Sequence, residues 1–214
     1  FNDYIGEAVE PWSYLKSTYY KPMGYPDGVY RVGPLARANV ADAMGTPLAD
    51  EELRTFRWRI GRIASSSFHQ HYARLIDLLH CIEKIDQILN KPEIMSTHVT
   101  ATAGINLNEV IGCSEAPRGT LMHHYKVDDD GLVEWANLVI ATGHNNMAMN
   151  RSVAQVAKQY VKADRLEEPM LNRVEAVIRS YDPCLSCSTH SLGDMALDIQ
   201  LLAPDGTVLD RIKR

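Results

Sequence analysis

Residues 182–190 read DPCLSCSTH, and this stretch decides how the rest of the chain is interpreted. Cys184 and Cys187 are separated by two residues, and His190 follows three positions after the second cysteine. Two soft thiolates and one imidazole so close together in the chain can converge on one metal ion. Pro183 fixes the backbone where the chain enters this segment.

Taken by themselves, these residues leave three interpretations open. A metal site is favoured, although a zinc ion would need a fourth ligand from Cys81, Cys113 or another histidine. A thioredoxin-like redox pair would follow a strand and open a helix, whereas a predicted helix precedes this pair. The third interpretation is a loop that binds nothing. Haem attachment does not fit, because there a histidine directly follows the second cysteine.

The composition indicates a globular protein and argues against several classes of function. The 214 residues are 45% hydrophobic and 23% charged, which is typical of a domain with a sizeable core. A net charge of −5 without a basic cluster argues against nucleic-acid binding. The sequence has no apolar run that could span a bilayer and no secretory signal, so we expect a cytoplasmic protein with reduced thiols.

The pattern of apolar and turn residues predicts an α+β fold that is predominantly helical, with small β-hairpins. Residues 49–90 have helical periodicity and predict one long helix or two, with weak points at Gly61 and Ser65–Ser67. Further helices are predicted over 146–162 and 168–180, and hairpins over 119–142 and 196–212.

Three expectations concern which residues are buried and which lie on the surface, mainly in the region 49–90. Its buried face would consist of Phe68, Tyr72, Leu75, Leu79 and Ile82. Arg74 and Asp77 would form a pair on its surface. Cys81 and Cys113 would be small buried hydrophobic residues.

Four segments resemble the large subunit of nickel–iron hydrogenases. Residues 182–190 are similar to the family's C-terminal signature, and EAPRG at 115–119 matches an internal segment. GPLAR at 33–37 and ATGHNN at 141–146 resemble two others, although Ala141 stands where the family usually has proline. Because the segments keep the family's order over nearly the whole chain, it is identified as a member. We expect part of the large-subunit fold, most similar to the cytoplasmic, bidirectional, NAD(P)-linked branch.

The resemblance implies a nickel–iron centre whose iron carries two cyanides and one carbon monoxide. Cys184 would be a terminal nickel ligand, and Cys187 would bridge nickel and iron. His190 would bind a third metal, either magnesium or iron. The pocket around the diatomic ligands would be formed by Pro117, Arg118 and Thr142.

The implied activity is heterolytic cleavage or formation of hydrogen, with Cys184 and Arg118 as catalytic residues. The thiolate of Cys184 would take the proton. Arg118 would act by position and charge, because a guanidinium holds its proton too firmly to be a good base. Its planar fork suits a buried cyanide, and the Thr142 hydroxyl offers a neutral donor. The structural alternatives are a surface turn at Arg118 and a strand end at Thr142.

The resemblance also implies partners and processing. Electrons would pass first to a small iron–sulfur subunit, then to diaphorase subunits, which would hold FMN, further clusters and the NAD(P) site. This chain contains no Gly-rich dinucleotide fingerprint. Nickel-insertion chaperones would load the metal, and a specific endopeptidase would then cut between His190 and Ser191. We therefore predict a large-subunit domain over 1–190 and a maturation extension over 191–214.

Two alternatives come from other functional classes. One is a structural zinc module that uses Cys184, Cys187 and His190, and the other is a non-catalytic scaffold. Retention of both cysteines disfavours the scaffold. The family uses a second, N-terminal cysteine pair that this sequence lacks, and the first residue is Phe1 rather than methionine. We therefore expect the chain to be inactive alone and to be the C-terminal part of a longer polypeptide.

Overall fold

Helices and small antiparallel sheets make up the part of the chain that the computed structural model describes, which is residues 2–101, 104, 106–162, 165–184 and 198–213. The helices are α1 (Pro34–Val40), α2 (Pro47–Ile60), α3 (His69–Leu89), α4 (Ala141–Tyr160) and α5 (Glu168–Tyr181). The strands are β1 (Ile5–Glu10), β2 (Ser13–Tyr20), β3 (Glu109–Ala116), β4 (Gly119–Val127), β5 (Val133–Val139), β6 (Asp198–Leu202) and β7 (Val208–Lys213). The predicted α+β class is confirmed. The chain divides into two compact units, residues 32–139 and residues 1–31 with 140–214.

In the unit of residues 32–139, α1, α2 and α3 pack around one apolar core. Pro34 and Pro47 stand in the first turns of α1 and α2, where a proline costs no helical hydrogen bond. Glu83 of α3 accepts the two backbone N–H groups that follow Pro47, at 3.0 and 2.9 Å. These groups have no partner within their own helix, so the contact caps α2 from outside. The core consists of Leu35, Ala38, Ala49, Leu53, Phe56, Ala64, Ala73 and Ile76.

The same unit contains an antiparallel sheet with the strand order β3-β4-β5. The β4–β5 pair confirms the hairpin predicted over 119–142, whereas β3 was not predicted. Ala116 pairs with Gly119 across the β3–β4 connection. Pro117 and Arg118 are therefore the two central residues of a tight hairpin turn.

The other unit combines two hairpins with the antiparallel pair α4 and α5. Near the end of α5, the Tyr181 hydroxyl donates to the carbonyl oxygen of Ala148, at 3.2 Å. Nearer its start, the guanidinium of Arg173 lies 4.0 Å from the ring centroid of Tyr160, at the end of α4. Val177 is buried between these contacts and belongs to the same small core. The helix predicted over 168–180 is confirmed.

The hairpin predicted over 196–212 is confirmed as β6–β7, which turns at Gly206. The backbone N–H of Leu166 donates to the Asp210 carboxylate at 2.7 Å. That hydrogen bond lowers the pKa of Asp210. The hairpin is therefore attached to the segment that leads into α5.

The helix boundaries decide one open alternative and differ from the prediction at one place. The region 49–90 forms two helices rather than one, and the break is at the predicted weak point Gly61, whose φ of +104° ends α2 and favours glycine. α4 begins at Ala141, five residues before the predicted start at Asn146. Its first turns are rich in polar residues, which hid the helical periodicity. No helix in the described ranges is long and apolar enough to cross a membrane.

The predicted buried face of α3 was correct at two of its five positions, because Tyr72 and Leu79 are partly buried against the core. It was wrong at Phe68, Leu75 and Ile82, which are 52%, 63% and 57% exposed. Ala73 and Ile76 are buried instead, each 1% exposed. α3 has apolar residues on more than one side, so the helical period identifies the helix but not the side that its own chain covers.

The predicted burial of Cys81 and Cys113 was also wrong, because both are free and exposed. Cys81 lies in the second half of α3, beyond the residues that reach the core. Cys113 lies on β3, which is an edge strand of the sheet formed by the described residues and is exposed along most of its length. A cysteine in a regular element is buried only if another element covers that position.

Candidate metal centre

Cys184 lies just beyond the C-terminal end of α5. Asp182 adopts a left-handed conformation with φ 51° and ψ 53°, which ends the helix, and Pro183 cannot continue it. The predicted helix break is therefore confirmed. Cys184 follows and is half-buried. A half-buried thiol is accessible to a ligand and is also restrained by the residues packed around it.

Thr142 fixes the backbone of Cys184. It is the second residue of α4 and is only 3% exposed. Its Oγ1 accepts the backbone N–H of Cys184 at 3.1 Å. The strand-end alternative for Thr142 is wrong, because the residue lies inside a helix. A hydroxyl group that accepts a hydrogen bond still has one proton to donate, so Thr142 can also donate to a bound group.

The first turns of α4 bury an unusual number of polar side chains. His144 is 1% exposed, and its Nδ1 lies 2.6 Å from the hydroxyl of Tyr30. Burial raises the pKa of that hydroxyl. Asn146 is 8% exposed and stands four residues after Thr142, on the same side of the helix. Within the described part of the chain, its Nδ2 has no hydrogen-bond partner. A buried donor without a partner fits a group that brings its own acceptor, as cyanide does.

Arg118 occupies the tip of the β3–β4 hairpin in the unit of residues 32–139, and it is partly buried. Gly33 lies directly against it, with φ +102°, and a Cβ there would stand 2.7 Å from the carbonyl oxygen of Arg118. On Gly119, a Cβ would stand 2.3 Å from Cγ2 of Val32. The two glycines therefore allow the segment before α1 to touch the hairpin tip.

Arg37 connects the same two segments through its guanidinium. Nη1 donates to Glu115 Oε2 at 2.8 Å and to the carbonyl oxygen of Ala116 at 3.1 Å. Nη2 donates to the carbonyl oxygen of Pro117 at 2.9 Å and also to Asp77. Nε donates to Asp77 at 3.2 Å. Burial alone would lower the pKa of Arg37, but the two carboxylates outweigh it and raise that pKa.

The sequence did not reveal the role of Arg37, although it lies in one of the segments that resemble the hydrogenases. Its carboxylate partners Asp77 and Glu115 are 40 and 78 positions away. Asp77 was predicted only as a surface partner of Arg74. The sequence did contain one indication of this role. The apolar segment GPLAR at 33–37 carries an arginine, and an arginine in a buried segment needs hydrogen-bond acceptors.

The predicted site residues fall into three groups. The structure brings Thr142 and Cys184 into contact, and it places Pro117 and Arg118 together at the hairpin tip of the other unit. The remaining predicted site residues lie outside the described residues, and these are Cys187, His190 and Ser191. Among the described side chains, no three of the types His, Cys, Asp or Glu form a group that could hold a metal ion.

A sequence model of the nickel-dependent hydrogenases matches residues 6–190. The chain belongs to the nickel-dependent hydrogenase family. This confirms the resemblance that the four segments indicated. The match includes the Gly33–Arg37 segment, the Glu115–Gly119 segment and the residues around Cys184.

Individual relatives agree with the family. The chain is 43% identical to the NAD-reducing hydrogenase HoxS subunit beta of Cupriavidus necator, over 99% of this chain and 44% of that protein. It is 32% identical to the sulfhydrogenase 2 alpha chain of Pyrococcus furiosus, over 87% and 43%. A solved NAD+-reducing NiFe hydrogenase in the H2-reduced state aligns with a TM-score of 0.82 and 43% identity, over 88% and 42%. The chain thus spans less than half the length of these relatives.

Proposed function

We propose that this chain is the part of a nickel–iron hydrogenase large subunit that supplies the C-terminal pair of cysteine ligands. The observation that carries the proposal is the fixed position of Cys184. The residue is half-buried, and its backbone N–H is bound to a buried hydroxyl at the start of α4. This arrangement occurs in a chain whose family is nickel-dependent.

The chemistry of these residues fits the metals that the family implies. Cys184 would hold nickel as a terminal thiolate, and Cys187 would bridge nickel and iron, because soft thiolates suit both metals. His190 would hold magnesium or iron. When bound, the nickel–iron centre supplies the Lewis acidity that polarises dihydrogen for heterolytic cleavage.

Several residues would surround the cyanide and carbon monoxide ligands of the iron. Thr142 has a hydroxyl proton available beyond its bond to Cys184, and Asn146 has a buried amide donor on the same side of α4. Arg118 adds a charged, planar donor, while Pro117 contributes an apolar wall that excludes water. Cyanide accepts hydrogen bonds and carbon monoxide accepts them poorly, so such a pocket would distinguish the two.

Cys184 and Arg118 would have different roles in hydrogen activation. When it holds the metal, the Sγ atom of Cys184 would be a thiolate and could accept a proton. Arg118 would stabilise negative charge through its position. The proton acceptor would then be a sulfur atom rather than a carboxylate.

The partners and the setting follow from the proposed activity. Electrons would leave through a small iron–sulfur subunit toward diaphorase subunits with FMN and NAD(P). The support is that one relative is named an NAD-reducing hydrogenase. Nickel-insertion chaperones and a maturation endopeptidase would act on the chain in the cytoplasm. The family match ends at residue 190, which supports removal of 191–214 as an extension.

Substitution of the cysteines tests the proposal in an assembled hydrogenase that contains this chain. Cys184→Ser should lose bound nickel and hydrogen oxidation together, because the hydroxyl is a poor nickel ligand. Cys113→Ser removes a free, exposed thiol and is the matched control, which should keep both. Nickel is measured by elemental analysis of the purified complex. Full nickel content in Cys184→Ser would contradict the ligand assignment.

A further inference from the structure

The guanidinium of Arg37 is fully occupied by groups around the tip of the β3–β4 hairpin. It makes five hydrogen bonds, two to Asp77 and one each to Glu115, Ala116 and Pro117. An arginine has five N–H donors, so none is left over. The Arg37 side chain is 23% exposed. Its hydrogen bonds to Asp77 and Ala116 are partly buried, whereas those to Glu115 and Pro117 are exposed.

Two of the acceptors are the carbonyl oxygens that come just before Arg118. The tip of a two-residue hairpin is ordinarily mobile, because its ends are paired but its central residues are not. Here Arg37 holds the carbonyls of Ala116 and Pro117 from one side. On another side, the backbone of Gly33 lies against the carbonyl oxygen of Arg118. The approach is so close that a Cβ on Gly33 would stand 2.7 Å from that oxygen. The backbone on both sides of the Arg118 Cα is therefore fixed.

The carboxylates keep Arg37 itself in place. Asp77 reaches it from α3, while Glu115 reaches it from the end of β3. The second oxygen of Glu115 accepts the hydroxyl of Thr120 on β4, so this carboxylate also crosses the hairpin. A lysine could not replace the arginine, because an ammonium has only three donors and no planar fork.

We propose that Arg37 is a positioning residue for Arg118, because it fixes the hairpin tip from which the Arg118 side chain extends. This inference rests on the proposed role of Arg118 beside the diatomic ligands. Arg37 itself would touch no substrate or ligand. Its effect on turnover passes entirely through the orientation of Arg118.

A double-mutant cycle in the assembled hydrogenase tests the inference. Arg37→Lys should lower kcat about 10- to 100-fold with nickel content unchanged, since a small displacement of a positioned group has effects of that size. In an Arg118→Lys variant, adding Arg37→Lys should lower kcat by no more than about twofold further, because the Arg118 guanidinium that Arg37 positions is already absent. The cyanide stretching bands in the infrared spectrum should broaden or split in Arg37→Lys. Arg62→Lys, which alters an exposed arginine with a 3.4 Å contact to Asp42, is the control.

The outcomes are distinguishable. Losses that multiply in the double variant, or cyanide bands identical to those of the unsubstituted enzyme, would overturn the inference. If Arg37→Lys does not assemble, Asp77→Asn weakens the same contact and enters the same cycle, with a smaller effect expected. Failure of both variants to fold would assign Arg37 a purely structural role and also overturn the inference. Absence of nickel and cyanide bands in the unsubstituted enzyme would instead refute the proposed function.

Discussion

Gly33 and Gly61 have nearly the same backbone conformation but different surroundings. Their φ values are +102° and +104°, and both lie in a region that is essentially restricted to glycine. A Cβ on Gly33 would collide with the carbonyl oxygen of Arg118, whereas a Cβ on Gly61 would have no atom of the described residues within 4 Å. Substitutions at these two glycines therefore separate the free-energy cost of backbone strain from the cost of a steric collision.

Alanine at each glycine should reveal that difference. Gly61→Ala should lower the free energy of unfolding by about 1–3 kcal/mol through strain alone. Gly33→Ala should cost roughly 1–3 kcal/mol more, because the backbone of the hairpin tip must move. Urea unfolding of the two variants measures both losses. Equal losses would mean that the close approach of Gly33 to Arg118 does not exist in solution.

Arg118 is the residue whose proposed role depends most on chemistry rather than on folding. Arg118→Lys keeps the charge but removes the planar fork, so kcat should fall about 100-fold while nickel content stays the same. Arg54→Lys changes an exposed arginine of α2 and should leave kcat unchanged. Steady-state hydrogen oxidation and elemental analysis measure the two quantities. Loss of nickel in Arg118→Lys would contradict a role confined to catalysis.

At the scale of elements, the sequence predicted those that local patterns determine. α5 and the β4–β5 and β6–β7 hairpins have clear periodicity and turn residues, and all three are confirmed. β3 was missed because Gly112, Cys113 and Ser114 interrupt any alternation of apolar and polar residues. Its pairing with β4 is a contact between strands, which the sequence of β3 alone does not encode.

The β3–β4 pair contains a contact that makes its stability depend on pH. The Nε2 of His124 lies 2.7 Å from Glu109 Oε1, and Lys126 lies 3.4 Å from the other oxygen. The hydrogen bond from His124, followed by the effect of Lys126, lowers the pKa of Glu109 below its ordinary value of 4.5. The carboxylate therefore stabilises the fold above about pH 4.5, and this contribution is lost as the pH falls through the lowered pKa.

Glu109→Gln should remove that pH dependence. The variant should be less stable than the unsubstituted chain at pH 6, and the difference should shrink as the pH falls toward 3. Glu134→Gln, on the exposed part of β5, is the matched control and should show a constant difference. Urea midpoints across this range measure the effect. A Glu109→Gln difference that grows toward low pH would contradict the assigned direction.

At the scale of the whole molecule, the main failure of prediction concerned which apolar residues are covered. α3 carries a row of apolar side chains that the described residues do not bury, each 47% to 63% exposed: Leu75, Leu78, Ile82, Ile85, Ile88 and Leu89. The chain spans only 44% of the length of one relative. A sequence pattern shows that a side chain is apolar, but it does not show which polypeptide covers it.

For the candidate site, the sequence predicted individual residues but not the contacts between them. The motifs identified Cys184, Thr142 and Arg118 because each has a distinct residue type in a distinct local context. The contacts that hold them, from Thr142 to Cys184 and from Arg37 to the hairpin tip, join residues 40 or more positions apart. Such contacts exist only after the chain has folded, so a single sequence does not reveal them.

The metals bound at the segment around Cys184 distinguish a nickel–iron centre from a structural zinc site. Elemental analysis combined with infrared spectroscopy on the assembled, matured enzyme that contains this chain identifies them. We expect nickel and iron together, with stretching bands of both cyanide and carbon monoxide. Zinc alone, with no such bands, would exclude a nickel–iron centre and identify the segment around Cys184 as a structural zinc site.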